Sequence, residues 1–248
     1  MKYKYKTVTV NNADDFVNAI DKGNMVINVP QRFRQEVFER MEIIKKQNDD
    51  YLFAYASCLF YFLDTVSKKR EAFDIATKLA NKGNAKGYLA LGYYHWRFNH
   101  DNEQAISWFQ KGADKGEILC VRWLGVIYNV EKDYAKAFFY YNEACKKGLT
   151  CAKYDVAFSY HHGEGVEKDP RKAFDLMLEA AKEGHSNAQE FIANAYRDGK
   201  VVEQSVNDAL YWYLTAASNG NRHAMDLLLE QYSLDHIFSR LKIKKPNE

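Results

Sequence analysis

The 248-residue chain is short of three things at once: it has only three prolines, thirteen glycines and four cysteines. So few helix breakers leave room for long uninterrupted helices. Four cysteines (Cys58, Cys120, Cys145, Cys151) are too few for a disulfide scaffold, and the absence of a CxxC pair gives no sign of zinc or thiol–disulfide chemistry. No stretch approaches the roughly eighteen consecutive apolar residues of a membrane span. The start, MKYKYKTVTV, lacks the apolar core of a secretory signal, so the expected location is cytoplasmic, with reduced thiols. Charge of one sign is missing as well. The 35 Lys and Arg nearly balance 33 Asp and Glu, leaving +2, which argues against a nucleic-acid-binding role. What is plentiful is aromatic: 18 Tyr, 15 Phe and 4 Trp, 15% of the chain, enough to build helix packing around large rings.

A repeat organises these residues. The segments EAFDIATKLANKG, QAISWFQKGADKG, KAFFYYNEACKKG, KAFDLMLEAAKEG and DALYWYLTAASNG share a small residue at i, an aliphatic or small one at i+7, a small one at i+8 and Gly at i+11. The leading residues are Ala72, Ala105, Ala137, Ala173 and Ala209, and the closing ones Gly83, Gly116, Gly148, Gly184 and Gly220. Positions i, i+7 and i+8 lie on one helical stripe, where small side chains let a neighbouring backbone come close. The closing Gly suits the left-handed residue that ends a helix. Four residues before the leading Ala stand Asp101, Asp133, Asp169 and Ser205, which predict N-caps, and Pro170 fits a first helical turn.

Between one closing Gly and the next cap the pattern predicts a second helix. An aliphatic residue and a small one recur eight and nine positions after the Gly: Leu91 and Gly92, Leu124 and Gly125, Val156 and Ala157, Ile192 and Ala193. Tyr128, Tyr160 and Tyr196 follow at twelve, with His95 in that place in the earlier copy. The unit is helix, loop, helix, Gly turn, and such units bury their apolar faces only by stacking.

The most complete copy, VAFSYHHGEGVEKDPRKAFDLMLEAAKEG, resembles the Sel-one-like repeat, a branch of the tetratricopeptide-type helical repeats. The resemblance covers roughly residues 51–232. The copies at 84–116 and 117–148 lose the G.GV loop, and the copy near Tyr51 keeps only its second helix clearly. The fold expected is all-α, a right-handed α-solenoid of helix-turn-helix repeats, with a small αβ cap at residues 1–50 and a capping helix and tail at 233–248. In the cap, Lys2 to Val10 alternates as a strand, ADDFVNAIDK reads as a short helix and MVINVP as a second strand. Residues 31–47 follow as an amphipathic helix with Phe33, Val37, Met41 and Ile44 on one stripe. The segment either shields the first repeat or offers a pairing edge through which two copies dimerise. Lys242, Lys244 and Lys245 read as a solvated tail.

Catalytic motifs are sparse. His161, His162 and Glu164 form the one cluster that looks like a site, but adjacent histidines on a helix point about 100° apart and do not serve one metal in the usual i, i+4 manner. Metal or acid–base use, partner contact and plain solvated loop all stay open for them. Cys145 stands where four other copies have Ala, and Cys120 matches the register of Ala152 and Ala188, so both are expected to fill tight core gaps. Cysteine-rich relatives join helices through disulfides, which makes Cys145 with Cys151 the local pair to watch. Ser239 and Lys242 match SxxK without a KTG or SDN partner, and there is no HExxH, P-loop or GxGxxG. No cofactor, metal or membrane contact is expected.

In solenoids of the resembled type the first helices line the concave face. The stripe beside their packing positions carries Tyr93, Trp96, Arg97, Arg122, Tyr154, Phe158, His161, His162 and Arg197. Aromatic and Arg residues dominate binding energy at interfaces, and a peptide with acidic groups suits such a groove. Trp108, Trp123 and Trp212 are assigned instead to packing within helix pairs. The resemblance thus implies a non-catalytic adaptor that binds a protein or peptide. The alternative is a ligand-binding or hydrolytic relative acting on β-lactams or cell-wall fragments.

Overall fold

The structure, a computed structural model, describes residues 4–10, 12–21, 24–29, 31–62 and 65–231. The chain divides into two compact units, one of residues 1–152 with 164–166 and the other of 153–163 with 167–248.

The first unit opens on strand β1 (Lys4–Thr9), helix α1 (Ala13–Asp21) and strand β2 (Asn24–Asn28). The strands pair in parallel, Thr7 beside Val26 and Thr9 beside Asn28, with an irregularity between Lys4 and Thr7. A parallel pair needs a crossover, and α1 supplies it. After a 3-10 turn at Gln31–Phe33, α2 (Arg34–Ile44) buries Val37, Phe38, Met41 and Ile44. These residues share a core with Phe16 and Ile20 of α1 and with Tyr55, Leu59, Ala72 and Ala76 of the next two helices, α3 (Asp49–Phe62) and α4 (Val66–Asn81). The first copy therefore has both of its helices, although the repeat pattern marks only the second. The predicted turn at Gly23, the strand end at Pro30, and the closing helix with Ser239, Lys242, Lys244 and Lys245 lie outside the described residues.

The repeating pairs continue with α5 (Ala85–Tyr94) and α6 (Asn102–Asp114), then α7 (Ile118–Val130) and α8 (Tyr134–Lys146). Helix α9 (Thr150–His162) begins in the first unit and runs on in the second, which holds α10 (Pro170–Lys182), α11 (Ser186–Asp198), α12 (Val206–Ser218) and α13 (Arg222–Gln231).

The helix ends are those the sequence marks. Asp101, Asp133 and Asp169 accept the N–H of Gln104, Lys136 and Lys172 at 2.9, 3.2 and 2.9 Å, and Ser205 accepts that of Asp208 at 3.3 Å. Each such cap contributes about 1 kcal/mol. All five closing glycines are left-handed, with φ between 73° and 95°. Gly83 shows the pattern: its N–H bonds the Ala80 carbonyl, and the next N–H, of Asn84, reaches back to Leu79.

The small residues of the second pattern lie where large side chains of the following helix press in. A Cβ on Gly92 would sit inside the Phe109 ring, and one on Gly125 inside the Tyr141 ring. In the second unit Ala157 packs with Phe174 and Met177, and Ala193 with Tyr213. Cys120 is fully buried against Gly112, as expected of a gap filler. Cys145 differs: it is half-buried at the edge of the core of Ile118, Val121, Ala144, Leu149 and Ala152, because its position faces partly outward in this copy. Cys145 and Cys151 are both free thiols.

Candidate partner-binding surface

Of the nine candidate residues, Tyr93, Trp96, Arg97 and Arg122 belong to the first unit and the rest to the second, and each group forms its own arrangement.

In the first unit the chain departs from α-helix just after Tyr94. Residues His95–Asn99 make a π-helical turn that ends on His100 at φ 54°, a left-handed conformation uncommon for a residue with a side chain. The wider turn carries Trp96 and Arg97. Trp96 lies 4.9 Å from the Trp123 ring and 6.1 Å from Tyr93, while Tyr93 meets Trp123 edge-on at 5.3 Å. The Arg122 guanidinium stands 6.0 Å over the Trp123 ring, which stacks on buried Phe109 at 5.9 Å. Two half-buried rings, Tyr93 and Trp96, the buried Phe109 ring and one arginine thus surround a single centre, Trp123. Arg97 is exposed on the rim. The assignment of Trp123 to packing within its helix pair misses both its contact with Phe109, which joins α7 to α6 of the preceding pair, and its position as the hub. Its register shows the same thing: it lies seven residues after Gly116, on the stripe that carries the other candidates.

In the second unit Tyr154, Phe158 and His162 follow one another at i, i+4 and i+8 along α9. Tyr154 stacks on His185 at 4.5 Å, and Phe158 meets His162 at a tilt, 4.2 Å between ring centres. His161 is half-buried, edge-on to Phe191 at 5.1 Å, and its Nδ1 is buried without a hydrogen-bond partner. Burial, then the neighbouring His162 and Lys168, push its imidazole below the ordinary pKa. Among the described residues there is no group of three or more His, Cys, Asp or Glu able to hold a metal ion.

Arg197 is the candidate whose position argues for a different role. Its Nε bonds Asp198 at 2.8 Å, and one of its terminal nitrogens donates to the Tyr213 hydroxyl at 3.0 Å. That hydroxyl donates in turn to Asn194, and the Tyr213 ring is fully buried. The guanidinium is tied into the α11–α12 pair, where it satisfies a buried phenol. Trp108 packs within its helix pair as expected, stacked on Tyr88 of α5 at 6.0 Å, whereas Trp212 meets Tyr211 of its own helix edge-on at 5.3 Å and lies half-buried against the core of Leu210 and Tyr213.

The Sel1 repeat profile matches residues 85–117, 122–149, 152–185 and 186–221, more than half of the chain. The chain belongs to the Sel1 repeat family. Four copies are matched in this way, and the α3–α4 pair before them shares the closing glycine and the helix-pair form. No curated protein matches the sequence. Solved Sel1-type structures are similar in fold. A Sel1 repeat protein from Oxalobacter formigenes has a TM-score of 0.65 at 22% identity, covering 96% of this chain and 100% of that one. A protective antigen of uropathogenic Escherichia coli strains displaying an SLR fold gives 0.61 at 22%, with 93% of this chain and 54% of that one covered. An immunity protein from Pseudomonas aeruginosa gives 0.58 at 18%, covering 80% and 76%. At such identities the likeness establishes the fold. Sel1 repeats generally mediate protein–protein interactions as non-catalytic scaffolds, and no described helix is long and apolar enough to cross a membrane.

Proposed function

We propose that this Sel1 repeat chain is a non-catalytic adaptor that captures a protein or peptide through the faces of its first-of-pair helices, the concave face of a right-handed solenoid. The observation that carries this reading is the group of Tyr93, Trp96, Trp123 and Arg122. Its rings are half-buried: they are rigid enough to bind at low entropic cost and open enough to be covered. Arg122 beside the rings supplies a charge for a carboxylate on the partner, with the apolar body of the partner on Trp96. Tyr154, Phe158, His161 and His162 form the corresponding surface of the second unit.

Affinity capture on immobilised chain from extracts of its host, with quantitative mass spectrometry, tests this. Wild type enriches a specific protein, and Trp96→Ala or Arg122→Ala loses it while keeping helical content. Equal enrichment by all three would refute the reading.

A further inference from the structure

A groove that no repeat position marks is lined by residues other than those of the aromatic cluster. It is an open cleft of about 560 Å³ lined by Lys45 and Lys46 at the end of α2, Leu52 of α3, and Ser67, Arg70, Glu71, Asp74, Ile75 and Lys78 of α4. The α4 residues are spaced i, i+3, i+4, i+7, i+8 and i+11, so they form one unbroken helical stripe. Leu52 and Ile75 give it an apolar floor.

The charges divide into two sets. Glu71 is fully engaged: Lys68 bonds it at 3.0 Å, Lys45 stands 3.5 Å away and the Tyr55 hydroxyl donates at 2.9 Å. Burial opposes ionisation there, yet the bonds from Lys68 and Tyr55 hold the carboxyl below its ordinary pKa. Lys45 is engaged as well, its ammonium 3.8 Å from the Tyr55 ring centre. Lys46, Arg70 and Lys78 have no hydrogen-bond or ion-pair partner among the described residues, and all three are exposed at the groove wall. Beside Glu71, Asp74 is the carboxylate among the lining residues that opposes them. In a chain that is almost neutral, this is a local surplus of positive charge over an apolar floor.

We propose that this groove binds an extended acidic segment of a partner protein, two carboxylates flanking one aliphatic side chain. Arg70 and Lys78 are eight residues apart on α4, about 12 Å along the helix axis. An extended peptide rises about 3.3 Å per residue and alternates its faces, so carboxylates four residues apart meet the two cations, and the apolar side chain midway between them, on the same face, reaches Leu52 and Ile75. Arg70 engages its carboxylate through the guanidinium fork, and Lys78 and Lys46 act as point charges.

Fluorescence anisotropy with the labelled peptide Gly-Asp-Ser-Leu-Ser-Asp-Gly, on the full chain at low salt, tests the site. The expected result is saturable binding that weakens at least about tenfold in Arg70→Glu and in Lys78→Glu, both exposed positions where folding is unaffected, as circular dichroism checks. Replacing the peptide Leu by Ser weakens it further, and the lysine version Gly-Lys-Ser-Leu-Ser-Lys-Gly does not bind. Trp96→Ala binds the peptide as wild type does, which separates this site from the aromatic surface. No saturable binding, equal binding by Arg70→Glu, or equal binding of the Leu and Ser peptides would overturn the proposal; the last result would mean bare charge attraction.

Discussion

The two units build the same helix pair with different materials, and the turn inside each pair shows it most plainly. In the second unit the chain leaves α9 and α11 on glycines, Gly163 and Gly199, at φ 78° and 65°. In the first unit the equivalent left-handed places after α5 and α7 fall on His100 and Lys132, at 54° and 62°. A side chain there costs about 1 to 2 kcal/mol. The candidate surfaces differ in parallel. The first unit gathers rings and an arginine around Trp123, whereas the second lays an aromatic and imidazole row along α9 and spends its arginine on an internal hydrogen bond. Equal register therefore does not mean equal use. What decides is whether a buried polar atom nearby, here the Tyr213 hydroxyl, needs the side chain for itself.

That contrast can be broken at several points. Tyr213→Ala removes a fully buried ring and is expected to cost about 3 to 5 kcal/mol in urea unfolding. A loss under about 1 kcal/mol would mean that the α11–α12 core is not anchored there. The arginines come next: Arg197→Ala is expected to cost about 1 to 2 kcal/mol through its bond to Tyr213, and Arg122→Ala under about 1 kcal/mol. A reversed order would exchange their roles. At the turns, Lys132→Gly is expected to stabilise by about 1 kcal/mol and Gly199→Ala to destabilise by a similar amount, read as opposite shifts in melting temperature. The smallest expected effect is on pH dependence. His161 has its pKa lowered in the folded chain, so the unfolded chain takes up the proton first as pH falls. Its contribution to stability is present above the unfolded value of about 6.5 and is lost as pH falls toward the folded one. His161→Gln should therefore melt with a shallower decline between pH 7.5 and 5.5 than wild type, and an identical decline would assign the titration elsewhere.

Much of the fold is legible in the sequence because helix ends are chemical. Asp101, Asp133, Asp169, Ser205 and the five closing glycines each satisfy orphaned backbone groups, and that need is met by few residue types. The first helix of the opening copy is harder to read, since α3 is rich in apolar residues on most of its faces and lacks the aliphatic residue followed by a small one that marks the later copies. The turns at His100 and Lys132 leave no signal, because ordinary side chains occupy places that glycine would announce. The site is legible as residue types and less so as an arrangement. Trp96 and Arg122 stand in the predicted stripe, but the π turn that sets Trp96 against Trp123 depends on packing that no spacing rule encodes. Arg197 is misleading for the opposite reason, since its partner lies sixteen residues away on the next helix.

The most direct test of the central claim is quantitative capture of host protein by wild type, Trp96→Ala and Arg197→Ala at matched helicity and temperature below each melting point. The account predicts that Trp96→Ala loses the enriched partner while folded Arg197→Ala retains it. Retention by Trp96→Ala would contradict it.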